Sequence, residues 1–254
     1  MRLLLINPTL HSVDTRRNRD VIDSLLAKIS GTILPTDVLL LPEHFTAEDD
    51  HGAYLECLQK IARETGCTVV GGSHHRHIDG KRLNVGNVVD PTGLEIGSYE
   101  KLRPYFEEQK HVVGGSMPGE MSIGGRNILI LICADFWYSD IILSTQVLPD
   151  VVLVPSLSVS RKPNAEYSRT LWRNLAVMRA YEFGTYVGIS DWHENSTLRK
   201  YRTCGVGGFA DPTSDDPQRL FQPVGQDGIE VYPLDFGALE RFREDRRMRG
   251  FFWR

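Results

Sequence analysis

Cysteine is scarce in this chain. There are four in 254 residues, Cys57, Cys67, Cys133 and Cys204. No pair has a metal-ligand spacing such as C-x-x-C, and four dispersed thiols in a chain this long are not a disulfide framework. Apolar runs are short, none long enough to span a bilayer. Positive charge is not in excess: the formal net charge is −4, which argues against the basic face of a nucleic-acid binder. Internal repeats, low-complexity tracts and Pro/Ser-rich linkers are missing too. The opening Met1-Arg2-Leu3-Leu4-Leu5-Ile6-Asn7-Pro8 looks superficially like a signal peptide, but its apolar part is too short and no small-residue cleavage site follows. It reads as a first β-strand, and a cytoplasmic location is the expectation.

What remains is an ordinary soluble balance, 41% hydrophobic and 24% charged, in a chain long enough for a dry core and read as a single domain over residues 1–254. Apolar periodicity predicts strands near 2–7, 37–42, 67–73, 84–90, 94–99, 127–133, 150–156, 185–190, 205–210 and 229–234. It predicts helices near 15–30, 47–65, 138–147, 165–183 and 236–247. Asp14 is a candidate N-cap and Gly66 a candidate helix stop. Asp90-Pro91-Thr92-Gly93 is a turn between strands. Strand–helix–strand units mixed with hairpin-like units predict an α/β fold with mixed sheets and helices outside.

Cys133 stands out among the thiols. It follows the run Ile128-Leu129-Ile130-Leu131-Ile132, so it is expected at the carboxyl end of a buried strand, where open α/β sheets place their ligands. Glu43 ends a second apolar run, Val38-Leu39-Leu40-Leu41-Pro42. Lys101 follows a third, Ile96-Gly97-Ser98-Tyr99-Glu100. A thiol attacks as the thiolate, which a nearby ammonium favours. Glu43 can take the thiol proton and later return it to a leaving nitrogen. Cys133 would then attack a carbonyl or nitrile carbon and form a covalent thioester-type intermediate. Lys101 and the backbone N–H of Ala134 are the candidate oxyanion donors, a donor of that kind being worth about 3–4 kcal/mol of barrier. This chemistry needs no metal or organic cofactor.

Glu, Lys and Cys in this order, each at a strand end, resemble the nitrilase superfamily of carbon–nitrogen hydrolases. The matching segments are Leu41-Pro42-Glu43, Gly71-Gly72-Ser73, Asn84 to Gly93, Tyr99-Glu100-Lys101-Leu102-Arg103-Pro104, Ile132-Cys133-Ala134-Asp135, Pro155-Ser156 and Arg179-Ala180-Tyr181-Glu182-Phe183-Gly184. Each is weak alone, but together and in order they cover nearly the whole chain. The resemblance implies a four-layer α-β-β-α sandwich with two mixed β-sheets, and association into homodimers or larger homo-oligomers. It implies a small-molecule substrate, with no nucleic acid or membrane partner. It also implies a second, substrate-positioning glutamate after the lysine, for which Glu108 fits the pattern and Glu107 is the fallback. Two departures touch helix entry and pocket shape: Leu129 stands where the family often has glycine, and Trp137-Tyr138-Ser139-Asp140 replaces a common aromatic-Pro-Glu segment. The implied reaction is hydrolysis of a non-peptide C–N bond in a small-molecule amide or carbamoyl amine. The alternatives are a nitrilase, against which Ala134-Asp135 after the thiol argues, and a non-catalytic amide-binding or scaffold member.

Other residues have plainer readings. His74, His75 and His77 are close in sequence, but the first two would point to opposite faces of a strand and lack a zinc spacing, so no metal site is expected. His44 has an open role beside Glu43. Trp137, Tyr105 and Phe106 are candidate pocket walls or plain packing residues, and Asp135 is a pocket residue or a cap. The run from Glu240 to Arg249 mixes both signs and reads as a solvated helix. Phe251-Phe252-Trp253 reads as an apolar tail that docks on the chain or on a neighbouring subunit.

Overall fold

Leu3 and Leu5 of the first strand point to one side, Leu4 and Ile6 to the other, and all four are fully buried. Side chains alternate along a strand, so an unbroken apolar run requires cover on both faces. The computed structural model, which describes residues 1–46, 49–198, 200–225 and 228–251, shows what provides that cover. One sheet contains β1 (Arg2–Ile6), β2 (Val38–Leu40), β3 (Thr68–Val70), β4 (His74–Ile78), β5 (Lys81–Val89), β6 (Glu95–Glu100) and β15 (Ile229–Pro233). Its order is β15-β1-β2-β3-β5-β4, with β6 also paired to β5. The other contains β7 (Gly119–Ile123), β8 (Arg126–Ile130), β9 (Val151–Pro155), β11 (Tyr186–Ser190), β13 (Gly208–Ala210) and β14 (Phe221–Pro223), in the order β14-β13-β11-β9-β8-β7. A ribbon of β10 (Val159–Ser160) and β12 (Arg202–Thr203) lies apart from both.

Both sheets are mixed. β1, β2 and β3 run parallel, as do β8, β9 and β11, and the flanking strands are antiparallel. Leu3, Leu5, Leu40 and Val70 share one core with Ile128, Ile130, Val151 and Leu153 of the second sheet. A Cβ on Gly188 of β11 would come within 3.0 Å of Leu3 and 3.2 Å of Leu5, so the two sheets meet face to face there. Leu4, Ile6, Leu39 and Val69 turn the other way, onto α1 (Thr15–Ala27) and α2 (His51–Thr65) through Ile22, Leu25, Leu58 and Ile61. Beyond the second sheet, α4 (Glu166–Phe183) presents Trp172, Ala176, Ala180 and Phe183, and α3 (Ser139–Leu143) adds Ile141 and Ile142. This is the four-layer α-β-β-α sandwich.

Local signals place the helix ends. The Asp14 side chain accepts the Arg17 N–H, and Gly66 closes α2 in the left-handed region at φ 68°. α2 begins at His51 because Asp50 caps it; the earlier start expected at 47 falls on residues 47–48, outside the described residues. The strand expected over 127–133 ends at Ile130, and Cys133 opens a short 3-10 helix, Cys133–Trp137. β4, β7, β10, β12 and β14 lie outside the strands that apolar periodicity predicts.

The closing helix α5 (Phe236–Met248) differs from its reading as a solvated helix. Arg243 is buried, with Nε on the Gly184 carbonyl at 2.7 Å, one amino group on Asp150 at 2.8 Å and the other on the Pro149 carbonyl at 2.8 Å. Arg246 is buried against the rings of Tyr181 and Phe251. Long cationic side chains cover apolar surface with their stems, which a count of charges does not register. Phe252 and Trp253 of the tail lie outside the described residues.

Candidate active site

Glu43, Lys101 and Cys133 come from three loops at one end of the sandwich. Glu43 follows β2 and is held by its backbone: it bridges to Ser73, and its carbonyl accepts the indole N–H of Trp192 at 2.6 Å. Gly72, beside Ser73, sits at φ 63°, and a Cβ there would be 2.1 Å from the Pro42 carbonyl oxygen, so the approach requires glycine. Lys101 follows β6, with its N–H on the Asn84 carbonyl at 2.9 Å. Asp135 is a staple for that loop rather than a cap. Its two oxygens accept the N–H groups of Leu102 and Arg103 at 2.9 and 2.8 Å. Burial raises the Asp135 carboxyl to about 6 against those two hydrogen bonds.

Cys133 has φ 48°. A left-handed conformation is uncommon for a residue with a side chain and concentrates at functional positions. It turns the chain sharply after Ile132 and sets Sγ 3.8 Å from the Leu157 carbonyl. The N–H of the same Leu157 donates to Glu43 Oε2 at 3.1 Å. The thiol and this carboxylate therefore meet at one residue, which follows β9. Asp191, after β11, fixes the neighbouring Ser158 through its N–H and hydroxyl.

The charges form a buried chain. Lys101 Nζ is 2.7 Å from Glu43 Oε1 and 2.7 Å from Glu108 Oε2. Asn84 Nδ2 donates to Glu43 Oε1 at 2.9 Å and to Glu108 Oε1 at 2.8 Å. Glu108 also accepts His75 Nε2 at 3.3 Å on Oε1 and the Tyr105 N–H at 3.1 Å on Oε2. A carboxylate offers about four acceptor positions; four donors occupy those of Glu108. Burial acts against its charge, but His75 and Lys101 outweigh it and hold the carboxyl well below the usual range. Burial likewise acts against the Lys101 ammonium, and Glu43, Cys133 and Glu108 overcome it, so its pKa is raised and it stays charged. Burial, then Glu43, push the Cys133 thiol far up, with Lys101 opposing. At neutral pH the resting sulfur is a thiol.

The thiol opens on a cavity of about 340 Å³ whose wall includes Ala134, Trp137, Tyr105, Leu171 and Trp172. Trp137 and Tyr105 form its half-exposed rim. Phe106 instead lies under the Arg161 guanidinium, at 3.6 Å. Glu107, the fallback for the second glutamate, is solvent-facing and paired with Lys110 at 2.8 Å, so Glu108 is the one that turns inward. Asn84, Leu157, Trp192 and His75 were not singled out from sequence as site residues. Asn84 lay inside a matching segment, but its bridge between two carboxylates exists only after folding.

The three neighbouring histidines have separate surroundings. His74 is buried against Tyr54 and 3.1 Å from His51, His75 faces Glu108, and His77 is exposed. Donor atoms of His44, His75 and Glu108 lie within 4.8 Å of one another, a set that can hold a metal ion. Hydrogen bonding argues otherwise. Arg82 is 3.0 Å from His75 Nδ1, and a guanidinium only donates. Nδ1 must accept, the ring proton sits on Nε2, and the atom aimed at Glu108 is a donor rather than a ligand. His44, 3.7 Å from Glu43, is lowered to about 4 by burial and is neutral.

Comparison with known proteins agrees with this architecture. The structure superposes on an amidase from Nesterenkonia sp. with a TM-score of 0.75 and 23% identity, covering 98% of this chain and 96% of that one. It matches XC1258 from Xanthomonas campestris, a CN-hydrolase superfamily protein with an arsenic adduct in its active site, at a TM-score of 0.79 and 18% identity over 96% and 94% of the two chains. A variant of the Nesterenkonia sp. AN1 amidase in complex with butyramide gives 0.75 and 22% over 98% and 96%. No curated protein matches the chain. The carbon–nitrogen hydrolase family model matches residues 8–203. With a match over most of its length, the chain belongs to the carbon–nitrogen hydrolase family.

Proposed function

We propose that this protein hydrolyses the C–N bond of a small-molecule amide or carbamoyl amine through a thioester on Cys133, with Glu43 as base and acid and Lys101 as the fixed charge. The observation that carries this is the meeting of Glu43 and Cys133 at Leu157, with Lys101 bound to the same carboxylate. Lys101 and Asn84 occupy Glu43 Oε1, which leaves Oε2 for the proton. Glu43 takes the proton from Sγ as sulfur attacks the carbonyl carbon. The oxygen gains negative charge and is met by the Lys101 ammonium and the Ala134 N–H. Glu43 then gives its proton to the nitrogen, the C–N bond breaks and the amine leaves. Water, deprotonated by Glu43, attacks the thioester, and the acid departs as sulfur recovers its proton. One water is consumed, and one acid and one amine or ammonia are released. No step calls on a cofactor.

The apolar and aromatic wall beside Cys133 supports a neutral acyl group, with Trp137 and Ala134 as substrate contacts. Glu108 holds Lys101 and has no acceptor position to spare for proton transfer. The reading takes residues 1–254 as one hydrolase domain, cytoplasmic and self-associating. Supporting the self-association, α4 carries exposed Tyr167, Leu171, Met178 and Tyr181, and light scattering would measure it. Among the described residues no helix is long and apolar enough to cross a membrane.

The test is a panel of amides, carbamoyl amines and nitriles, assayed for ammonia or amine release and for an acyl adduct by intact mass. Turnover of an amide or carbamoyl amine, with an adduct lost in Cys133→Ala, is expected. Turnover of nitriles alone would establish the nitrilase alternative. No turnover and no adduct would leave the family member a non-catalytic binder.

A further inference from the structure

The hairpin of β4 and β5 carries a second row of polar groups behind the charge chain. His75 lies directly across from Asn84, and Arg82, two residues before Asn84, shares their face. Asp49 binds Arg82 at 2.6 Å, Arg82 donates to His75 Nδ1 at 3.0 Å, and His75 Nε2 donates to Glu108 Oε1 at 3.3 Å. Glu108 Oε2 then receives Lys101 at 2.7 Å. Each link has a fixed direction because Arg82 has no acceptor.

We propose that His75, with its tautomer set by Arg82, is a positioning residue for the reaction: it orients Glu108 and, through Glu108, holds the Lys101 ammonium at the oxyanion. This rests on the function proposed above. The reason is geometric. Lys101 has four methylenes and many rotamers, and two carboxylates fix its end group. Glu43 must change protonation during the reaction, so its grip on Lys101 weakens when it carries a proton. Glu108 is the anchor that stays charged throughout, and it keeps its orientation only while donors hold both of its oxygens. Asn84 is shared with Glu43. Outside that pair of carboxylates the Tyr105 N–H holds Oε2, and the donor that holds Oε1 is His75.

The experiment compares His75→Ala, His75→Gln and Arg82→Met in the full-length protein, each also combined with Glu108→Gln. It reads kcat, KM, thermal midpoint and the rate at which iodoacetamide alkylates Cys133, with Cys133→Ser as the blank for other thiols. His75→Ala should lower kcat about tenfold to a hundredfold, the scale of one hydrogen bond to a charged group, with little change in KM. His75→Gln, which keeps a donor, should recover most of the loss. Arg82→Met should fall between. In the Glu108→Gln background, His75→Ala should cost less than about twofold more. Losses equal in both backgrounds, no rescue by glutamine, or wild-type kcat in His75→Ala would each overturn the proposal. If the wild type hydrolyses nothing, the functional reading fails, and alkylation still decides positioning. Slower alkylation in His75→Ala with rescue in His75→Gln supports it, and unchanged alkylation rejects it.

Discussion

Replacing Glu43 and Glu108 separately by glutamine tests the division of labour between two carboxylates that lie equally close to Lys101, at 2.7 Å each. Both substitutions keep the shape and leave the buried ammonium with one carboxylate instead of two. Removing one partner of a buried pair costs about 3–5 kcal/mol, and the remaining carboxylate holds each variant near the low end. At about 2–4 °C per kcal/mol for a domain of this size, both midpoints should fall by roughly 6–12 °C. The kinetics should separate. Glu43 Oε2 and Cys133 Sγ meet at Leu157, whereas Glu108 has donors on all its acceptor positions. Glu43→Gln removes the base and should lower kcat by about 10²–10⁴. Glu108→Gln loosens Lys101 and should cost about tenfold to a hundredfold. Steady-state ammonia release and differential scanning calorimetry on the two variants give both numbers. Equal kinetic losses, or a Glu43→Gln variant retaining more than about a tenth of kcat, would refute the assignment of the base.

Cys133→Ala should keep the fold, with a thermal midpoint close to wild type, and abolish both turnover and the acyl adduct seen by intact mass. Gly72→Ala places a Cβ 2.1 Å from the Pro42 oxygen at φ 63° and should destabilise by more than about 2 kcal/mol. Gly31→Ala, with nothing within 4 Å, is the tolerated control, and urea titration compares them. His74 is lowered to about 3, chiefly by burial, against about 6.5 in an unfolded chain. The unfolded state therefore binds its proton first: the stability from neutral His74 is complete above pH 6.5 and lost as pH falls toward 3. His44, lowered to about 4, acts in the same direction, while Asp135 and Asp191, both raised to about 6, act in the opposite one. The informative quantity is thus a difference: between pH 6.5 and 4 the urea midpoint of His74→Gln should fall less than that of wild type. Parallel curves would remove His74 from the account.

Hydrophobic patterning along the chain specifies the strands that are apolar throughout and singles out the candidate reactive groups at their ends. Leu3 to Ile6 and Val151 to Val154 need cover on both faces, so sheets between other layers followed from composition alone. A thiol and a carboxylate closing two apolar runs, and an ammonium closing the half-exposed strand β6, were legible because strand ends are where a sheet exposes groups to a ligand. The chain also carries a local signal for β4. Asp79-Gly80, both with positive φ, makes the two-residue turn that joins β4 to β5. Tertiary structure decided what depends on distance between segments far apart in the chain. That Leu157 sits between the thiol and Glu43, that Asn84 spans two carboxylates, and that Arg243 is buried rather than solvated are outcomes of how loops from separate strands converge. Periodicity reports which face a residue occupies; only packing reports which residue from another strand it meets there.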